Sequence, residues 1–359
     1  MNPDDFKGNK LIEKPESPVT VSWKSPSNIA FVKYWGKKGR QLPLNPSVSM
    51  TLSSSLTETS LTASPLKGRQ KSQLEFSFGG IPSPAFSARI SNYLASISDL
   101  FPFLSQLRLK LDTCNTFPHS MGIASSASGF SALALCLCAL EEKFIGHLLP
   151  DFFQKASFIA RLGSGSASRS VYGGITIWGE TPSFVGSTDL YALPVSPVHE
   201  TFSGLRDAII LVSREEKKMS SSKGHSLMEN HPFAQARISQ ANENTTALLN
   251  ALKDGDRQAF IRIAENEAMT LHALMMTSTP GFVLMEPETV RIIKRIQQIR
   301  EKEGLDICFT LDAGPTIHLI YFEENIEQVR KIIVEDLLQK DKQKIWIDDK
   351  IGTGPEKII

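Results

Sequence analysis

Pro118-His-Ser-Met-Gly-Ile-Ala-Ser-Ser-Ala-Ser-Gly129 runs without a break into Phe130-Ser-Ala-Leu-Ala-Leu-Cys-Leu-Cys-Ala-Leu140. The second stretch is rich in Ala and Leu, which predicts a buried helix rather than a strand. The first is a loop of small residues placed at that helix's start. Such a loop leaves backbone N–H groups unpaired at the positive end of the helix dipole, and both features suit a phosphate. The text matches neither the G-x-x-x-x-G-K-[ST] loop nor the G-x-G-x-x-G fingerprint. On its own, it is equally an N-capping turn.

Outward from this point, short strands and turns are expected from Ser22 to Ser64, where Ser, Thr and β-branched residues alternate with Pro43 and Pro46. An amphipathic helix is expected over Ile90 to Phe101 and a strand over Leu107 to Asp112. Asp151 to Leu162 reads as a helix that ends in a second Gly/Ser loop, Gly163 to Ser170, before strand-like Ile175 to Trp178. Pro182, Pro194 and Pro197 then punctuate a connection. The chain accordingly divides into a polar lead-in (1–20), an N-terminal unit (21–200) and a C-terminal unit (201–359). Beyond the boundary come a strand from Ala208 to Ser213, helices over Arg257 to Met276 and Glu286 to Glu303, strands Ile307 to Leu311 and Ile317 to Phe322, a helix from Glu324 to Leu338 and a strand from Lys344 to Ile347. That order is a ferredoxin-like split βαβ layer.

Composition bounds the rest. The 359 residues carry 39 Lys+Arg against 38 Asp+Glu, a net charge of +1, which argues against a nucleic-acid binder with a general basic footprint. The longest apolar run is about half of the ~20 residues a membrane-spanning helix needs. The N-terminal text resembles neither a signal peptide nor a transit peptide. Cys114, Cys136, Cys138 and Cys308 form no C-x-x-C pair and no disulfide framework, so a cytoplasmic protein is expected.

Three further segments carry candidate chemistry. Arg161-Leu-Gly-Ser-Gly-Ser-Ala-Ser-Arg169 offers hydroxyls and a guanidinium fork to an anion, or else is a flexible loop with a surface arginine. In Ser27-Asn-Ile-Ala-Phe-Val-Lys-Tyr-Trp-Gly-Lys37, a helical turn would put Lys33 and Lys37 on one side beside Tyr34; the alternative is Lys/aromatic packing at a strand end. Thr310-Leu-Asp-Ala-Gly-Pro-Thr316 holds an aspartate that either forms the turn or, in a cleft near Lys33 or Arg169, takes a proton from a hydroxyl. His272 and His318 read as core residues, His225 and His231 as members of a polar loop, and Arg214 to Lys218 as a solvated turn.

Together the four segments resemble the ATP-dependent mevalonate diphosphate decarboxylases of the GHMP kinase superfamily. The resemblance rests on Asn28-Ile-Ala-Phe-Val-Lys-Tyr-Trp-Gly-Lys37, Gly122-Ile-Ala-Ser-Ser-Ala-Ser-Gly129, Gly163-Ser-Gly-Ser-Ala-Ser-Arg169 and Leu311-Asp-Ala-Gly-Pro315, in the family's order. It implies an α+β GHMP kinase fold: a ribosomal-protein-S5-like ATP-binding domain and a ferredoxin-like domain around a deep cleft. It also implies ATP and Mg2+ as cofactors, mevalonate 5-diphosphate as substrate and a homodimer.

Residue roles follow from the same resemblance. Asp312 corresponds to the base for the substrate's 3-hydroxyl, Lys33 to a lysine beside it, and Arg169 to the arginine that orients the substrate carboxylate. Ala30, Tyr34, Lys37, Ser164, Ser166, Ser221 and His225 fall on substrate-holding positions. Ser120, Gly122, Ala124, Ser125, Ser126 and Ser128 fall in the triphosphate loop, where Ser126 helps to position the γ-phosphate and is a candidate Mg2+ ligand. The family usually has methionine where His225 stands and asparagine where Thr316 stands. The readings competing with a diphosphate decarboxylase are a mevalonate 5-phosphate decarboxylase, a small-molecule kinase that stops after 3-phosphorylation, and a non-catalytic binding protein.

Overall fold

The computed structural model describes residues 2–8, 10, 15–66, 74–118, 123–213, 221–339 and 345–359, without the side chains of residues 221 and 222. Its frame is a pair of long antiparallel strands, Val19–Val32 and Ser47–Pro65. This corrects the expected short strands and turns. The register shifts between Pro26 and Asn28 and again between Ala30 and Val32, so the strand is bulged where proline breaks the ladder instead of ending there.

The long pair serves two cores. Val21, Trp23, Leu61 and Ala63 join one cluster with the N-terminal helices, while Ile29, Phe31, Val48, Met50 and Leu52 join another with Phe260, Ile320 and Phe322 from the C-terminal half. Leu107–Asn115 pairs with the second half of Ser47–Pro65 and, in parallel, with Leu74–Phe78; Ile175–Trp178 pairs with its first half. At the opposite edge, Glu356–Lys357 returns from the chain's end to pair with Trp23 and Lys24.

Helices α1 (Pro84–Ser96), α2 (Ser125–Ile145) and α3 (Phe152–Gly163) belong to the N-terminal half. The first begins and ends earlier than expected, at Pro84 in its first turn, and Phe101 leads instead into the short 3-10 helix Pro102–Gln106. Helix α2 stops at Gly146, whose left-handed φ of 74° lets its N–H reach Glu142 O. Within the polar lead-in, Phe6 is buried and stacks on Phe158 with ring centroids 4.7 Å apart. Burying such a ring contributes roughly 1.5–3 kcal/mol, enough to hold Pro3–Phe6 on α3.

In the C-terminal half the sheet order is Ile307–Thr310, Ile317–Phe322, Leu205–Leu211, Ile345–Lys350, all antiparallel. In chain order this is 2-3-1-4, the ferredoxin-like arrangement. Helices α4 (Ser221–Ser226), α5 (Ala234–Asp254), α6 (Arg257–Met276) and α7 (Pro287–Glu303) separate its first two strands. Sequence reading places α6 by its apolar spacing and α7 by Pro287 and Gly304, which bound it; in the structure Asp256 caps α6 through Ala259 N at 2.9 Å.

Helix α5 was not expected. Its buried stripe (Arg237, Ala241, Thr245, Leu248, Leu252) has helical spacing but mixes polar with apolar residues. The single helix expected from Glu324 to Leu338 is in fact a 3-10 turn (Glu323–Asn325), α8 (Ile326–Ile332) and a π segment (Ile333–Leu337). Arg214 to Lys218 lie outside the described residues. Among the described residues no helix is long and apolar enough to cross a membrane.

Candidate active site

A cleft of about 630 Å³ opens where the two halves meet, and the residues singled out from sequence converge on it. Thr310 Oγ1 donates to Ala30 O at 3.2 Å, tying a strand end of each half to the other. Lys33, just past one strand, brings Nζ to 3.1 Å from Asp312 Oδ1, just past the other; Lys33 is 2% exposed and Asp312 33%. Burial draws the Lys33 ammonium below the ordinary lysine range, opposed by Asp312 and then Glu267. A desolvated ammonium is therefore held against a carboxylate that faces the cleft. His272, buried as expected, donates from Nε2 to Asp312 O at 3.1 Å and fixes the turn.

Of the two readings of this segment, the strand end is found and the helical turn is not: Lys33 directly follows the strand Val19–Val32, and Lys37 belongs to the small hairpin Lys37–Lys38 with Leu42–Pro43. Lys37 still lines the cleft, its Nζ 3.1 Å from Gln41 Oε1. Arg161 anchors the hairpin by donating from Nη1 to Arg40 O at 2.6 Å.

Arg169 lies in a 3-10 turn, Gly165–Val171, and is buried, so neither the flexible loop nor the surface arginine is found. Its Nε and Nη2 donate to Asn28 Oδ1 at 3.3 and 3.2 Å, and its Nη1 to Ser47 Oγ. Asn28, at the strand bulge, is itself fixed by donating to Ser170 Oγ at 2.8 Å. Burial lowers the guanidinium to about 10, so it remains charged at neutral pH.

Tyr34 packs on Trp178 at 4.7 Å, and its hydroxyl is buried on the cleft wall with no hydrogen-bond partner among the described residues. Leaving such a group unsatisfied costs about 1–3 kcal/mol, which a bound polar ligand would relieve. Gly165 makes this packing possible, because a Cβ there would stand 2.7 Å from the Tyr34 ring. The Ser164 and Ser166 hydroxyls, 3.4 Å apart, complete this wall with Ala30.

His225 and His231 are buried rather than members of a polar loop. The His225 ring lies 4.3 Å from that of Tyr34 and 4.8 Å from that of Trp35, and its Nδ1 accepts from Gly36 N–H at 2.9 Å. That bond requires the neutral tautomer with hydrogen on Nε2. Burial, then Lys37 and Arg169, push its pKa down to about 3; burial pushes His272 down to about 4. Both rings stay neutral in the fold but take up protons near 6.5 once unfolded.

The unfolded chain therefore binds more protons below that pH. The stability held by these rings is fully present above 6.5 and is lost progressively as pH falls toward 4 and 3. The urea midpoint should fall from pH 7 to 5, and fall less in His225→Gln. An identical slope in both proteins would contradict the neutral assignment.

Ser125 and Ser126 open α2 on the cleft, after Ala124 in a left-handed conformation of φ 43°. Strain of this kind costs a non-glycine residue on the order of 1 kcal/mol or more and gathers at ligand sites. Ser128 is a correction. It is buried beneath the loop, its Oγ 2.6 Å from Thr57 Oγ1, and does not reach the cleft. Ser120 and Gly122 lie outside the described residues, as does the side chain of Ser221, the first residue of α4.

Past the start of α2 the cleft runs on over Thr57, Thr59, Asn115, Phe78, Phe86, Arg89 and Phe130, none of which sequence reading had assigned. Asn115 Oδ1 accepts from Thr57 Oγ1 at 2.8 Å, while its Nδ2 is buried without a partner among the described residues. Aromatic walls, an unpaired amide donor and an adjacent helix start together suit a flat base carrying phosphates. The one available signal was the alternation of Thr57 and Thr59 on a single strand face. Among the described residues no three His, Cys, Asp or Glu side chains are grouped to cage a metal.

A ferredoxin-like layer joined by continuous strands to a second α/β layer, with a phosphate-suited helix start in the cleft between them, defines the GHMP kinase fold. Residues 25–191 match the diphosphomevalonate decarboxylase-like N-terminal domain, and 208–355 match the mevalonate 5-diphosphate decarboxylase C-terminal domain. The chain therefore belongs to the diphosphomevalonate decarboxylase family. It is 32% identical to the diphosphomevalonate decarboxylase of Candida albicans over 88% of this chain and 87% of that protein. With that of Saccharomyces cerevisiae it shares 30% over 85% and 78%.

Among solved structures, mevalonate diphosphate decarboxylase from Staphylococcus aureus superposes with a TM-score of 0.83 at 28% identity, covering 96% of this chain and 99% of that one. A protein called MDDEF, solved in complex with MVAPP, AMPPCP and magnesium, gives 0.81 at 26% identity, covering 95% and 99%.

Proposed function

We propose that the chain converts mevalonate 5-diphosphate and ATP to isopentenyl diphosphate, ADP, phosphate and CO2. The observation that carries the proposal is the single cleft in which the Lys33–Asp312 pair, the Arg169 fork and the start of α2 face one another. A tertiary alcohol is a poor leaving group, so it is first made a phosphate ester. Asp312 takes the 3-hydroxyl proton as that oxygen attacks the γ-phosphate, and the Lys33 ammonium offsets charge on the transferring group. Loss of the new phosphate leaves positive charge developing at C3. The C1 carboxylate, held by Arg169, then departs as CO2, and the alkene forms.

Tyr34, Lys37, Ser164, Ser166, Ala30, Ser221 and His225 are assigned to the acid and diphosphate groups. Ser125 and Ser126, with the backbone at Ala124, are assigned to the triphosphate. The donor set fits Mg2+ carried mainly on ATP phosphates, with the Ser126 hydroxyl as a protein ligand. Bound there, the ion would neutralise phosphate charge. On this reading residues 21–200 form the ATP-binding unit, 201–359 the ferredoxin-like unit, and the enzyme is a cytoplasmic homodimer.

Product stoichiometry tests the proposal. With Mg-ATP and mevalonate 5-diphosphate, ADP, phosphate and CO2 should appear one to one to one. ADP without phosphate or CO2 would make this a kinase. Faster turnover of mevalonate 5-phosphate would point to His225, neutral beside Lys37, as selecting a smaller charge.

A further inference from the structure

The cleft chemistry uses the ammonium of Lys33 but leaves open what holds its main chain. The strand ladder ends one residue earlier, at Val32 opposite Val48. In place of a strand partner, Lys33 N–H donates to Glu267 Oε2 at 2.8 Å, and Lys33 O accepts from Arg237 Nη2 at 3.0 Å and Asn45 Nδ2 at 3.0 Å. Glu267 on α6 and Arg237 on α5 are paired through both carboxylate oxygens at 2.7 and 2.6 Å. Their side chains are 0% and 1% exposed. Asn244 Nδ2 adds a fourth donor to Glu267, at 2.6 Å.

Burying two charges is costly, and two apolar side chains of similar volume commonly fill such a site without loss of stability. Packing between α5 and α6 therefore does not account for the pair. Five residues further along α6, His272 holds the main chain of Asp312. One rigid helix thus grips both partners of the active-site pair, on opposite sides of the junction between the halves.

We propose that the buried Arg237–Glu267 pair is a positioning clamp, through which α6 sets the distance between Lys33 and Asp312. The clamp rests on the function proposed above. The Glu267 carboxylate also bears on Lys33, which Asp312, Arg169, His272 and Asp207 face as well. Removing the Glu267 carboxylate takes away a group that favours the ammonium.

The test compares full-length wild type with Glu267→Gln and with the volume-conserving double variant Arg237→Met/Glu267→Met. The readouts are kcat and KM for each substrate, the pH profile of kcat and the melting temperature. Both variants should lose roughly 10²-fold in kcat, the order expected when reacting groups are misplaced by about 1 Å, with KM for ATP unchanged. In Glu267→Gln the alkaline limb of the profile should also move to lower pH.

A double variant that melts like wild type and turns over like wild type would overturn the clamp. Should the double variant not fold, Glu267→Gln decides: unchanged kcat with an unmoved alkaline limb overturns it equally. Rates are taken as ADP release, which a decarboxylase and a kinase both give. Failure of the wild-type stoichiometry thus tells against the proposed function, and the variant-to-wild-type ratio tells against the clamp.

Discussion

Asp312→Asn should lower release of ADP, phosphate and CO2 by roughly 10²–10⁴-fold, the range that positioned proton transfer supplies, while ATP still binds. The substitution is close to isosteric. The contact that His272 makes to this turn goes to the main-chain oxygen of residue 312, so the turn has no reason to move. Two things are lost instead. The amide cannot accept the hydroxyl proton, and the buried Lys33 ammonium loses the carboxylate that most opposes its desolvation. Lys33 would then give up its proton more readily, removing positive charge from the transferring phosphoryl group as well. The aromatic end of the cleft, around Asn115 and Phe130, where the nucleotide base is proposed to sit, is built from other elements. Nucleotide affinity by calorimetry should therefore match wild type. Full turnover in this variant would remove Asp312 from the role of base.

What sequence disclosed and what it hid divide along the range of the forces involved. The start of α2, the apolar spacing of α6, the bounds of α7 and the Asp312 turn are set by neighbouring residues and are legible from them. The long strands were hidden because Pro26 sits at a bulge, and whether proline ends a strand or bends it depends on the partner strand. Helix α5 was hidden because Arg237 and Thr245 occupy positions on its buried stripe that a periodicity argument reserves for apolar residues. For Arg237 the reason is Glu267, thirty residues further on, and Lys33 O, more than two hundred residues back. His225 looked like loop text until the rings of Tyr34 and Trp35 closed around it. Ser128 went the other way: it belongs to the recognised loop, yet the helix turns it inward toward Thr57. A motif states which residues gather. It does not state which of them face the ligand.

Arg169→Ala should lower kcat/KM for the mevalonate substrate by roughly 10²-fold or more, the order associated with misplacing a reacting group, while KM for ATP stays at the wild-type value. The guanidinium is pre-aimed. Asn28 takes Nε and Nη2, Ser47 takes Nη1, and Asn28 is braced in turn by Ser170 and the carbonyl of Ser166. Truncation removes the cation and strands Asn28 Oδ1 in a buried site. Arg169→Lys separates charge from geometry, since a single ammonium cannot meet Asn28 and Ser47 together and still present a fork to a carboxylate. If charge alone mattered, lysine would restore most of the rate. If aim matters, it should restore little, and Asn28→Ala, which keeps the arginine and loosens its brace, should fall between wild type and Arg169→Lys. On the proposed mechanism the C1–C2 bond must stay aligned with the breaking C3–O bond, and an oriented fork on the carboxylate would hold it so while positive charge develops. A change in Arg169→Ala confined to ATP affinity would place the arginine at the wrong end of the cleft.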